Sequence, residues 1–229
     1  MTSKNHEQYA RWLRLNSVTG SAVLAAIAIG VPFSAMVCLL WVATSYLALM
    51  LAIVPSMQVA DWLSGSRVLL SILALISTGV GAAPWLVPVL FALAMITDLL
   101  DGNVARRSGE TWHGARLDME ADQLLVLMLS VSVMEQTALG ALVLVLPGLK
   151  YLFTILTEAA QIPVGEVKPV AGNNRRAQLI FVYVICALFI NLPVFSPGPV
   201  ADAILLLALL LLCGSFFSDW FHQWRQTWT

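Results

Sequence analysis

The chain has 229 residues, of which 59% are hydrophobic and 11% charged, and its formal net charge is −1. A soluble domain carries about 25% charged residues, so these charges are too few to coat one. A near-neutral, apolar chain is neither a disordered segment nor a basic nucleic-acid binder. The cysteines Cys38, Cys186 and Cys213 all lie in apolar runs, which excludes a disulfide scaffold. What remains is an all-α integral membrane protein, a polytopic bundle whose spans need about 20 apolar residues each.

Residues 1–16 are polar, and the apolar stretch behind them exceeds a signal h-region of about 7–15 residues. No cleaved leader is therefore expected. From Ser17 to Val54 there is no charge, which is too long for one span. The stretch predicts a hairpin over 17–33 and 36–54, turning near Gly30, Pro32 and Ser34. Runs at 67–82 and 85–100 follow, broken by Gly79, Gly81 and Pro84. The next are 117–134, 138–159 and 177–192, the last ended by Pro193, Pro197 and Pro199. A final run covers 200–218, giving about eight spans.

The basic residues orient this layout. All twelve except Lys150 fall at tails, loops or helix ends on one side, the asymmetry that marks cytoplasmic loops. The expectation is N-in and C-in. Tyr9, Trp12 and Leu13 share one helical face, as do Phe217, Trp220, Phe221, Trp224 and Trp228. Both tails read as interfacial amphipathic helices. Short loops predict one membrane domain over 1–229.

One acidic group stands apart. Asp98 and Asp101 close the fourth span, and Asp118, Glu120 and Asp122 open the fifth. Residues three or four apart share a helical face. Asp98 with Asp101, and Asp118 with Asp122, can therefore converge across antiparallel neighbours. Glu120 lies about 200° from Asp118 and points elsewhere. Four carboxylates at a bilayer edge repel one another unless cations compensate them. Oxygen-only donors favour Mg²⁺, Mn²⁺ or Ca²⁺, with substrate phosphates as further ligands. A diphosphate substrate follows. Gly102 permits close backbone approach, and Arg106 and Arg107 supply phosphate donors.

The stretch from Asp98 to Asp122 resembles the signature of the CDP-alcohol phosphatidyltransferases, D-x2-D-G-x2-A-R, seven or eight residues, then G-x3-D-x3-D. All eight fixed positions are present: Asp98, Asp101, Gly102, Ala105, Arg106, Gly114, Asp118 and Asp122. The resemblance implies a six-span core over 61–220, with the hairpin at 17–54 extra to it. Leu63 to Arg67 is similar to the family's L-T-x-x-R, and Asp61 stands where many members have Asn. No role is carried over from that stretch.

The resemblance further implies transfer of a phosphatidyl group from a CDP-linked lipid to an alcohol, releasing CMP. Two divalent ions, Mg²⁺ or Mn²⁺, are implied. Asp98, Asp101 and Asp118 match the ligands of one, and Asp98, Asp118 and Asp122 those of the other. Gly102, Ala105, Arg106 and Gly114 match positions around the CDP moiety, and Asp122 matches the general base. Two metals suit a displacement at phosphorus.

Lys150 and Glu158 lie two turns apart on one face of the sixth span, too far for a direct pair. An ionisable residue inside a membrane is a functional candidate. With Arg175 and Arg176 at the start of the seventh span, Lys150 is a candidate pocket for an anionic acceptor. Glycerol 3-phosphate would suit it, as would a carboxylate-bearing acceptor such as serine. Expected partners are the CDP-lipid, the alcohol, membrane lipids and a second copy in a homodimer, without nucleic acid. The expected location is a bacterial inner membrane, with the site facing the cytoplasm. Two rivals are a Mg²⁺-dependent prenyl-diphosphate enzyme and a cation-coupled transporter. The first calls for D-D-x-x-D motifs, the second for deep polar residues in several spans and for inverted repeats; the sequence has none of these.

Overall fold

The structure is a computed structural model describing residues 3–54, 57–108, 111–159 and 173–227. Among these, all regular structure is helical. The helices are α1 (Ser3–Ala28), α2 (Ser34–Ile53), α3 (Val59–Gly79), α4 (Leu86–Ser108) and α5 (Trp112–Val133). A short 3₁₀ turn at Gly140–Leu144 leads into α6 (Val145–Ala159), followed by α7 (Asn173–Ile190) and α8 (Pro199–Thr227).

Local chemistry sets the breaks. Between α1 and α2 the chain turns with Gly30 at φ 71° and Phe33 at φ 63°. Between α3 and α4, Gly81 adopts φ 65°, a left-handed conformation that suits glycine. A reciprocal cap starts α3, with the Gln58 N–H donating to Asp61 Oδ2 at 2.9 Å. Thr111 caps α5 by accepting from the Gly114 N–H at 3.2 Å.

Eight predicted spans thus meet eight α-helices among the described residues. The α2 helix, the α3 helix, Gly140–Ala159 and Pro199–Ser218 are long and apolar enough to cross a membrane, and Leu86–Asp98 is a shorter apolar helix. Two boundaries differ from the sequence expectation. The N-terminal tail and the first apolar run form one helix, as do the last run and the C-terminal tail. Tyr9 and Leu13, expected at the membrane interface, are instead buried in protein.

The α5 helix is the hub. Every residue from Leu124 to Ser130 is buried, as in a helix enclosed on all sides. It contacts α2, α3, α6 and α7. The α3 helix lies against both α4 and α5, α1 lies against α2 and α6, and α7 pairs with α8. Gly20 lets α1 approach its neighbours: a Cβ there would stand 2.9 Å from Trp41 and 3.0 Å from Tyr151. Leu206, Leu207, Leu210 and Leu211 of α8 are exposed, as lipid-facing residues would be.

The hairpin α1–α2 offers a direct test of topology. With both termini cytoplasmic, a cysteine placed at Ser34 is expected to label only from the far side of the membrane. Labelling from the cytoplasmic side alone would make the hairpin re-entrant.

Candidate active site and divalent-metal centre

Three helices build the site. The face of α3 that carries Asp61, Ser64, Arg67 and Ser71 is buried, at the spacing of one helical stripe. Asp98 lies on α4. Asp118 and Asp122 project from α5 one turn apart.

Arg67 sits at the centre with its side chain wholly buried. Its Nη1 donates to Asp118 Oδ1 at 2.8 Å and to Asp122 Oδ1 at 2.5 Å. Its Nη2 lies 3.1 Å from Asp98 Oδ1. Carboxylate oxygens of Asp98, Asp118 and Asp122 all lie within 4.8 Å of one another. One guanidinium against three carboxylates leaves the array net negative. Asp98 and Asp118 keep 40% and 41% of their side-chain surface exposed, and Asp122 keeps 23%. The array is therefore anchored from beneath and open to solvent on another side.

The donor set fits a hard divalent cation. Its ligands are oxygen only, they come from two facing helices, and they already gather around a cation. The sequence-based convergence of Asp98, Asp118 and Asp122 is present in the fold. Asp101, Gly102, Ala105 and Arg106 continue helix α4, and their side chains lie outside the described residues. Gly114 opens α5, where a Cβ would come within 2.9 Å of Thr111 Oγ1 and 3.5 Å of Asp61 Oδ1. Glycine at that signature position keeps the helix start clear.

Sequence reasoning missed Arg67, treating it as one more cytoplasmic-side charge. The available signal was its phase, since it shares a face with Ser64 and Ser71 inside an apolar helix.

Residues 57–221 match the family model described as CDP-alcohol phosphatidyltransferase. The chain belongs to that family. It is a membrane transferase of phospholipid synthesis, acting on a CDP-linked alcohol. Members use divalent metal ions, and the acidic cluster at Asp98, Asp118 and Asp122 supplies a place for them. Comparison with curated proteins and with solved structures returned no match.

Around this CDP-alcohol phosphatidyltransferase core the other predicted residues take up distinct places. Glu120 points away from the Asp118–Asp122 face, as its phase requires, and is buried. Its Oε2 accepts from Lys150 Nζ at 2.6 Å and its Oε1 from the Tyr9 hydroxyl at 3.0 Å. Glu158 pairs with Arg14 of α1 at 2.7 Å. Arg175 and Arg176 are exposed on the first turn of α7.

Proposed function

We propose that the enzyme transfers a phosphatidyl group from a CDP-linked lipid such as CDP-diacylglycerol to an alcohol acceptor. The convergence of Asp98, Asp118 and Asp122 beneath the family signature carries this reading. Asp98, Asp101, Asp118 and Asp122 would hold two divalent ions, Mg²⁺ or Mn²⁺, which neutralise the attacked and leaving phosphates when bound. Gly102, Ala105, Arg106 and Gly114 surround the CDP moiety. The acceptor oxygen forms a bond to the phosphorus next to the lipid. The bond from that phosphorus to CMP breaks, and CMP leaves with the electron pair. Asp122 takes the acceptor's hydroxyl proton, the work of a general base.

The site belongs at a bacterial cytoplasmic membrane surface, where a water-soluble nucleotide and a lipid tail can both be accommodated. We assign the acceptor an anionic group, such as the phosphate of glycerol 3-phosphate. Lys150, Arg175 and Arg176 are its candidate partners. Lys150 also meets Glu120, which offsets its charge in the protein interior.

Release of CMP from CDP-diacylglycerol, with Mg²⁺ or Mn²⁺ and a panel of acceptors, tests the reading. EDTA is expected to silence it. No CMP release with any acceptor would overturn it and return the prenyl-diphosphate and transporter alternatives. Lys150→Met is expected to raise the acceptor KM strongly, and by clearly more than it raises the CDP-lipid KM. An unchanged acceptor KM in the folded variant would make Lys150 a partner of Glu120 alone.

A further inference from the structure

Helix α5 carries two stripes on opposite sides. Gly114, Asp118 and Asp122 recur every four residues and are the last three fixed positions of the signature. Trp112, Arg116 and Glu120 also recur every four residues, displaced by two positions, or about 200° around the helix. The first stripe faces α3, where Arg67 holds Asp118 and Asp122. The second faces α1, which lies outside the residues matched to the family.

The contacts to α1 run along the whole of this second stripe. The Tyr9 ring packs edge-on against Trp112 with centroids 5.7 Å apart, and the His6 ring lies 4.6 Å from Trp112. The Arg116 guanidinium stands 5.2 Å from the Tyr9 ring centroid and 5.7 Å from that of Trp112, within the range of attraction between a cation and an aromatic face. One turn further on, the Tyr9 hydroxyl donates to Glu120, whose other oxygen accepts from Lys150 of α6. Tyr9 is 5% and Glu120 2% exposed. A buried charge held by two donors stays in one place, because leaving either donor or acceptor unmet is costly.

We propose that α1 is a positioning element of the active site, and that Tyr9 sets the rotation of α5 about its axis through Glu120. Two grips on opposite sides fix a helix against rotation better than one. Arg67 holds the front of α5, and the Tyr9–Glu120–Lys150 cluster holds the back. Rotation of α5 would move Asp118 and Asp122 relative to Asp98 on α4, so the spacing of the metal ligands depends on the N-terminal helix. The inference deepens the metal-dependent reading above and rests on it. Tyr9 hydrogen-bonds Glu120 and not the clustered aspartates, so it acts through Glu120.

The test compares the full chain with Tyr9→Phe, which deletes one hydroxyl and keeps the ring, and with Glu120→Gln. Hydrogen–deuterium exchange across residues 112–122 is expected to rise in both variants, with α7 and α8 unchanged. Binding of Mn²⁺ alone is expected to weaken about tenfold, the order seen when a group that orients a metal ligand is lost. The Tyr9→Phe, Glu120→Gln double variant is expected to lose less than the two single losses together, since both changes act on the one Tyr9–Glu120–Lys150 cluster. Unchanged exchange over 112–122 in Tyr9→Phe overturns the proposal, whether or not metal binds. A rise spread evenly over all helices also overturns it, because that is general loosening. Failure of the wild type to bind Mn²⁺ overturns the metal reading alone.

Discussion

Asp122→Asn is expected to reduce CMP release by about 10²–10⁴-fold, the usual contribution of a positioned general base. The amide has nearly the shape of the carboxylate and can still meet Arg67, so the fold should persist. What it cannot do is accept the acceptor's proton at neutral pH. Asp118→Asn removes a ligand shared by both proposed metals, and it should lose Mn²⁺ binding and activity together. The pair of variants thus separates the two roles: Asp118→Asn fails in metal binding, whereas Asp122→Asn keeps measurable nucleotide affinity. Single-turnover CMP release and Mn²⁺ titration are the measurements. Near wild-type turnover in either variant would rule out its assigned role.

Arg67→Met is the second large effect, and it should appear first in stability. The variant leaves three carboxylate oxygens within 4.8 Å of one another with their shared cation gone. Removing one partner of a fully buried ion pair costs about 3–5 kcal/mol. The penalty here should be smaller, about 2–3 kcal/mol, because Asp98 and Asp118 are partly open to solvent and solvent screens their charges. Melting of the metal-free protein in detergent should drop, and Mn²⁺ should raise it by more than in the wild type. Arg67→Lys should recover only part of the loss, since an ammonium cannot present a planar fork to three carboxylates at once. Equal melting of Arg67→Met and wild type, with and without Mn²⁺, would show that the guanidinium does not hold the array together.

Much of this was legible in the sequence because charge is conspicuous in an apolar chain. The acids at 98, 118 and 122 stood out by type and by helical phase, and the fold brings them together. The order of helices followed from the apolar runs and their glycine and proline breaks. Three features were not legible, each because its partner is remote in the chain. Arg67 reads as one more cytoplasmic-side charge at a helix end until its acids, 51 and 55 residues away, are placed beside it. Lys150 reads as unpaired, since Glu158 on its own helix is too distant, yet Glu120 satisfies it from α5. Tyr9 reads as a membrane-interface anchor, because an aromatic near a polar tail suits a bilayer surface and a buried protein contact equally well. The merging of each tail with its neighbouring span was hidden for a simpler reason. Polarity changes at Ser17, but nothing between residues 3 and 28 breaks the helix.

The order of the helices along the chain also bears on how the protein enters its membrane. A carboxylate reaching the bilayer interior unaccompanied is penalised by about 2.5–3.5 kcal/mol on translocon-insertion scales. Tyr9 and Arg67 both precede the acids they meet on α4 and α5. A nascent chain made from its N-terminus therefore already contains a phenol donor and a guanidinium when Asp98, Asp118, Glu120 and Asp122 are added. Only Lys150 follows them in the chain, and it completes the cluster around Glu120.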